Sequence, residues 1–241
     1  MIADVHGNRW ALEAVLADLE TRNVEQVVNL GDTVFGPLAP AETAELLMRL
    51  DAPTVRGNQD RAVWQPPAEV ASSPTHRLVR EALSKEHVDW LQGFPMTLRV
   101  GDLLLCHGTP GQDDAPLLEE IGPRRVALAD PATLRTRLGS LQASVILCGH
   151  THVPRAVALP DGPLIVNPGS VGLPAYTHDV PFPHAMEAGT PHARYAVLEP
   201  RDESWAVEHL AVPYDWQTAS TTARRNGRSD WARWLSTGRG T

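Results

Sequence analysis

No apolar run in this 241-residue chain approaches the ~20 residues that a membrane-spanning helix needs. No basic segment followed by an apolar stretch opens it, so no signal peptide is evident. Cysteine is scarce. The two present, Cys106 and Cys148, end apolar runs beside motif residues and read as reduced, buried strand thiols of a cytoplasmic protein. Positive charge is short as well: 21 Lys and Arg stand against 29 Asp and Glu, a net charge of −8. That balance argues against broad capture of long nucleic acid or of an anionic membrane surface. It leaves a small anionic substrate open, because bound metals would dominate the local field. Internal repeats are absent. A hydrophobic fraction of 42% and a charged fraction of 21% are ordinary for a soluble globular protein, and the length suffices for a full core.

Strand and helix signals alternate along the first half. Ala11, Leu12, Val15, Leu16 and Leu19 recur at helical spacing, predicting a helix over Asn8 to Glu20. Val24 to Leu30 reads as a buried strand, Glu42 to Leu50 as a helix, and Thr54 to Arg56 as a short strand. Arg77 to Gln92 reads as helical with a break near Ser84 to Glu86. Met96 to Val100 and Leu103 to Cys106 form a predicted hairpin about Gly101-Asp102, and Val145 to Cys148 a further strand. Two more hairpins are expected: Arg155 to Leu159 with Leu164 to Val166, and Arg194 to Leu198 with Trp205 to Leu210 about the charged turn Arg201-Asp202-Glu203. The pattern implies two packed sheets flanked by helices rather than one doubly wound sheet. Leu173 to Pro191 carries four prolines (Pro174, Pro181, Pro183, Pro191) and reads as low-order, either part of a substrate wall or a surface loop. Residues 1–212 are taken as the domain. Residues 213–241 are taken as a helical, basic tail that loses its pattern from Thr218 and is pinned by Trp231 and Trp234.

Five short motifs punctuate this pattern: Asp4-Val5-His6, Gly31-Asp32, Gly57-Asn58-Gln59-Asp60, His107-Gly108 and Gly149-His150-Thr151-His152. Singly each has a plain explanation as a helix cap, a turn or a satisfied strand-end histidine. Together they bring three oxygen donors (Asp4, Asp32, Asn58) and four imidazoles (His6, His107, His150, His152), the donors two neighbouring divalent cations need. Asp32, Asn58, His107 and His150 each follow a strand-like run, and strand carboxyl ends share one crevice in open α/β sheets. Mixed imidazole and carboxylate donors suit Mn, Fe, Ni or Zn better than Mg.

In this order, and followed by Asn167-Pro168-Gly169-Ser170, the motifs resemble the calcineurin-like metallophosphoesterases, over roughly Asp4 to Leu210. The resemblance implies a four-layer α/β/β/α sandwich with two mixed sheets and a dimetal site at one edge. It implies that Asp4, His6 and His152 hold one metal, that Asn58, His107 and His150 hold the other, and that Asp32 bridges them. The catalytic set would then centre on Asp32, Asn58 and His107. The implied reaction is in-line attack of a metal-bridging hydroxide on a small phosphodiester or nucleotide. Phosphomonoester or phosphoprotein hydrolysis is an alternative, and so is a non-catalytic interaction module on the same fold. Asn8, Gln59, Asp60 and Asn167 are expected around the metals, with Gly169 offering a backbone N–H to phosphate.

Two departures from the family pattern carry expectations. Many relatives have a proton-donating histidine where this chain has Gln59, and an amide delivers no proton at neutral pH. The chain is therefore expected to prefer good leaving groups, or to take its acid from His76, His178 or His184. Relatives also carry a full apolar strand where only Met1, Ile2 and Ala3 precede Asp4, so the natural start is expected to lie upstream.

Overall fold

The computed structural model describes residues 1–202 and 204–240. Its helices α1 (Arg9–Glu20), α2 (Pro40–Leu50), α3 (Asn58–Ala62), α4 (Ala68–Ala71), α5 (Pro74–Ala82) and α6 (Lys85–Gln92) precede four strands, β1 (Thr97–Val100), β2 (Leu103–Cys106), β3 (Glu119–Ile121) and β4 (Val126–Leu128). Helix α7 (Pro131–Leu138) leads to β5 (Val145–Leu147), β6 (Arg155–Ala158), β7 (Leu164–Asn167), β8 (Ala175–His178) and β9 (His184–Glu187). The long hairpin β10 (Ala193–Arg201) and β11 (Ser204–Val212) and helices α8 (Trp216–Arg225) and α9 (Ser229–Thr237) follow. No helix among the described residues is long and apolar enough to cross a membrane.

Four layers follow from the alternation of side chains along strands. One mixed sheet runs β1-β2-β5-β7-β6, with β2, β5 and β7 parallel and an antiparallel strand at each edge. Its Leu104, Cys106, Ile146, Cys148 and Ile165 face Leu134 and Leu138 of α7. The alternate residues Leu105, Val145, Leu147 and Val166 face the other way, onto Met1, Ala3, Val28, Leu30, Val55 and Ala196 of the second sheet layer. The far side of that layer, with Ile2, Val5 and Tyr195, packs on Leu12 and Val15 of α1 and Leu47 of α2. The expected α/β/β/α sandwich is the fold.

The second layer is less regular than expected. It consists of hairpin β10–β11 continued through Met1–Ala3, then residues 28–31, then residues 53–55, joined by isolated parallel bridges Ile2 to Asn29 and Asn29 to Thr54. The predicted strand from Val24 therefore pairs only near its end, because Glu25 and Gln26 lie exposed. Leu173 to Pro191 is not low-order: it holds hairpin β8–β9, with His178 opposite His184. The tail does not lose its pattern at Thr218 either. Ala219, Ala223, Trp231, Trp234 and Leu235 of α8 and α9 pack on Leu38, Leu173 and Ala175, while Arg224, Arg225, Arg233 and Arg239 stay exposed. Glu203 of the expected charged turn lies outside the described residues.

Candidate metal centre

The second layer positions the first ligands. Ile2 is held between Val28 and Leu30 by two backbone hydrogen bonds, and the ladder continues as Asp4 N–H to Gly31 O and His6 N–H to Asp32 O. Asp4, His6 and Asp32 thus emerge together. His107 leaves β2 and His150 follows β5, which pairs with β2 in parallel, so these two emerge side by side, rings 5.3 Å apart. Asp4 (φ 55°), His6 (φ 52°), Asp32 (φ 53°), His150 (φ 70°) and His152 (φ 61°) all adopt left-handed backbone conformations. Such conformations are uncommon for residues other than glycine and concentrate where surrounding structure enforces them for function. One enforcing contact is Gly57, where any Cβ would collide with the Asp32 carboxylate and amide.

The structure brings all seven expected donors together. His6 Nε2 lies 3.1 Å from His152 Nε2, and His152 Nε2 lies 3.4 Å from Asp4 Oδ1. Asp32 Oδ2 stands between His107 Nε2 at 3.4 Å and His6 Nε2 at 3.9 Å. Asn58 Oδ1 lies 3.2 Å from His107 Nε2 and 3.1 Å from His150 Nδ1. Asp4, His6 and His152 form one buried group of convergent donor atoms, and Asp4, Asp32 and His107 a second.

Whether these atoms suit cations can be judged from the imidazole hydrogens. Nδ1 of His6, His107 and His152 lies 3.0, 2.6 and 2.7 Å from the carbonyl oxygens of Phe35, Leu30 and Leu173. A carbonyl only accepts, so each Nδ1 carries a hydrogen and each ring turns its Nε2 inward. The Nε2 atoms of His6 and His152, 3.1 Å apart, are close enough to share one cation or one proton between them. Burial pushes His6 and His150 down to about 4, keeping both neutral at physiological pH. Burial would raise Asp32, but the charge and hydrogen bond of His107 hold it far below the usual carboxylate range. Burial lowers His107, yet Asp32 outweighs that and pushes it up to about 10. The donor set fits divalent metal.

Surrounding residues brace this set. Both oxygens of the buried Asp60 are used: Oδ2 accepts from Asp32 N (2.9 Å) and Gly57 N (2.9 Å), and Oδ1 from Thr33 N (2.8 Å) and Thr33 Oγ1 (2.6 Å). Asn167 Nδ2 donates to Gly149 O at 2.7 Å and Thr151 Oγ1 at 3.1 Å, fixing the loop that carries His150 and His152. Asn8 caps α1 and donates to Gly172 O and Tyr214 Oη, one step back from the donors. The expectation for Gly169 is not met, because its N–H is already used on Asn167 Oδ1. Gln59 N–H donates to Asp32 Oδ1 at 2.8 Å, and its buried Oε1 has no partner among the described residues.

The donors open into a cleft of about 590 Å³. Sequence reasoning missed several of its walls. Tyr176 of β8 stands edge-on to the His152 ring at 4.8 Å, and Trp231 of α9 stands edge-on to His6 at 5.8 Å. Arg61, in the turn after Asn58, is clamped by Asp113 through bonds of 2.9 and 2.8 Å. Tyr176 and Trp231 lie in segments without a donor motif, so only three-dimensional packing reveals them.

Residues 1–186 match the calcineurin-like phosphoesterase superfamily domain. The chain belongs to this family. The family points to metal-dependent phosphoester hydrolysis and generally uses a dimetal site. An uncharacterised protein of Methanocaldococcus jannaschii is 24% identical, over 96% of this chain and 93% of its own length. The crystal structure of a metallophosphoesterase from Sphaerobacter thermophilus superposes with a TM-score of 0.76 at 26% identity, covering 98% of both chains.

Proposed function

We propose that this calcineurin-like phosphoesterase hydrolyses a small phosphodiester or nucleotide at a two-metal centre. Asp4, His6 and His152 would hold one cation and Asn58, His107 and His150 the other, with Asp32 shared. Two such cations, when bound, clamp phosphoryl oxygens and make hydroxide available at neutral pH for in-line attack. The protein's own part is to aim three Nε2 atoms by tying each Nδ1 to a carbonyl, and to keep two carboxylates ionised in a buried site. That tautomer lock, on rings converging with Asp4 and Asp32, is the observation that carries the reading. Imidazole-rich ligation favours Mn, Fe, Ni or Zn over Mg. The cleft volume of about 590 Å³ and the net charge of −8 support a small substrate over a polymer.

The complete donor set argues for the enzyme over a non-catalytic module on this fold. Metal analysis together with hydrolysis of an activated aryl phosphodiester and monoester, across Mn, Fe, Ni, Zn and Mg, tests the proposal. Two metals per chain with faster diester than monoester turnover is the expected result. Stoichiometric metal with no hydrolysis of either ester would return the chain to the binding-module class.

A further inference from the structure

Gln59 occupies the cleft but cannot protonate a departing oxygen, so any acid must come from elsewhere. Of the three histidines that could serve, His76 lies outside the cleft lining, whereas His178 and His184 both line it. They are cross-strand partners on hairpin β8–β9, with ring centroids 5.9 Å apart. Tyr176, two residues before His178 on the same strand face, touches the His152 ring. Two residues of strand advance about 7 Å, so His178 lies about that far along β8 from Tyr176, with His184 opposite it and both in the cleft into which the metal donors open. The departing group of a phosphoester held at those donors would share that cleft.

The pair is also held in place. His184 Nδ1 lies 2.7 Å from Phe182 O, which accepts its hydrogen and leaves Nε2 as the ring nitrogen available to a ligand. The hairpin itself is strapped by the C-terminal segment: Gly240 N–H donates to Glu187 Oε1 at 2.7 Å, and Gly189 N–H to Gly238 O at 2.9 Å. A fixed donor keeps the distance to the departing oxygen short in every turnover.

We propose that His184 is the general acid for the leaving group, with His178 as the ring that packs against it. This rests on the phosphoesterase reading above. Acting as acid requires the imidazolium form of His184, with one hydrogen on Nδ1 held by Phe182 O and the other on Nε2. As the phosphorus–oxygen bond breaks, its electron pair stays on the departing oxygen, which takes the Nε2 proton and leaves the neutral Nδ1–H ring. The attacking water leaves its oxygen on phosphorus and releases a proton to solvent, and His184 regains a proton from solvent at the open rim.

The test is a series of methyl phosphodiesters whose leaving groups run from p-nitrophenol through phenol to an alkyl alcohol, assayed with the most active metal. Wild type should depend weakly on leaving-group acidity. His184→Gln should lose little on p-nitrophenyl ester and progressively more as the leaving group worsens, reaching ~10²–10⁴-fold for the alkyl ester. His178→Gln should show the same trend at smaller size. A loss of equal size on every ester, or no loss, with wild type active would overturn the acid assignment and leave the phosphoesterase reading standing. Wild type inactive on every ester with every metal would remove the phosphoesterase reading, and this inference with it.

Discussion

Asp60 offers a sharp test of how the centre is built, because it touches no donor side chain yet ties two donor-bearing loops together. Its carboxylate accepts from the backbone of Asp32, Thr33 and Gly57 and from the Thr33 hydroxyl. Asparagine at this position has one accepting oxygen and one donating amide. In its best orientation the oxygen serves Asp32 N and Gly57 N while the amide donates to a rotated Thr33 hydroxyl. One buried donor, Thr33 N–H, is then left facing another donor. An orphaned buried donor costs ~1–3 kcal/mol, so Asp60→Asn should lose about that much in urea unfolding. Alanine orphans four donors and threatens the fold outright, against a typical total of about 5–15 kcal/mol. Loosening Asp32 should also weaken metal binding by ~10–100-fold, the usual consequence of losing a group that orients ligands. The assays are urea midpoints in EDTA, where metal cannot mask the effect, and competition for metal against a chelating dye. An Asp60→Asn protein with unchanged midpoint and unchanged metal affinity would refute the reasoning.

Metal removal should destabilise the fold. Saturation of one site at about 100 times its dissociation constant contributes ~2.7 kcal/mol, which for a chain of this size corresponds to roughly 5–10 °C in Tm. Equal Tm in EDTA and in excess Mn would contradict a folded-state metal centre. A pH-dependent contribution is expected from Asp18, held below the usual carboxylate range first by the Tyr195 hydroxyl and then by Arg22. A depressed carboxylate stabilises above its unfolded value of ~3.9, and that stability is lost as pH falls through the lower folded value. The Tm gap between wild type and Tyr195→Phe should therefore be present at neutral pH and shrink in acid. A gap independent of pH would assign the Tyr195 effect to packing instead.

The legible parts of the molecule are those where local pattern and tertiary role agree. Leu103 to Cys106 and Val145 to Cys148 announce their strands because both faces are covered, by α7 on one side and the second sheet layer on the other. The seven candidate donors were legible as residue types in co-occurring motifs, four of them (Asp32, Asn58, His107 and His150) placed after strand-like runs, since oxygen and imidazole donors in that combination leave few alternatives. Hairpin β8–β9 was hidden by its prolines, which sit outside the paired residues and so do not prevent the hairpin. The tail was legible in part: it was expected to be helical and pinned by Trp231 and Trp234, which with Leu235 form the buried stripe of α9, but the exposed Arg224, Arg225, Arg233 and Arg239 hid the regular pattern that continues past Thr218. Gly169 was misread because a turn N–H looks free in sequence, whereas here it is taken by the side chain two residues before it.

The irregularity of the second sheet layer and the metal donors have one physical origin. A residue that turns to left-handed backbone interrupts the regular strand pattern, even where its N–H still finds a backbone partner, as those of Asp4 and His6 do. Asp4, His6 and Asp32 all make that turn within a few residues of the paired segments, so pairing there is reduced to the bridges at Ile2, Asn29 and Thr54. The five-stranded sheet keeps its ladders because His107 is delivered without such a turn and His150 turns only after β5 has ended. Regular strands are thus retained where they support the core and given up where side chains must converge. The rigidity lost in doing so is restored by side chains that hydrogen-bond the exposed backbone: Asp60 under Asp32 and Thr33, Asn167 under Gly149, and Ser170, whose hydroxyl donates to Asp4 O at 2.7 Å. These braces, more than the donors themselves, make the geometry of the centre a property of the fold.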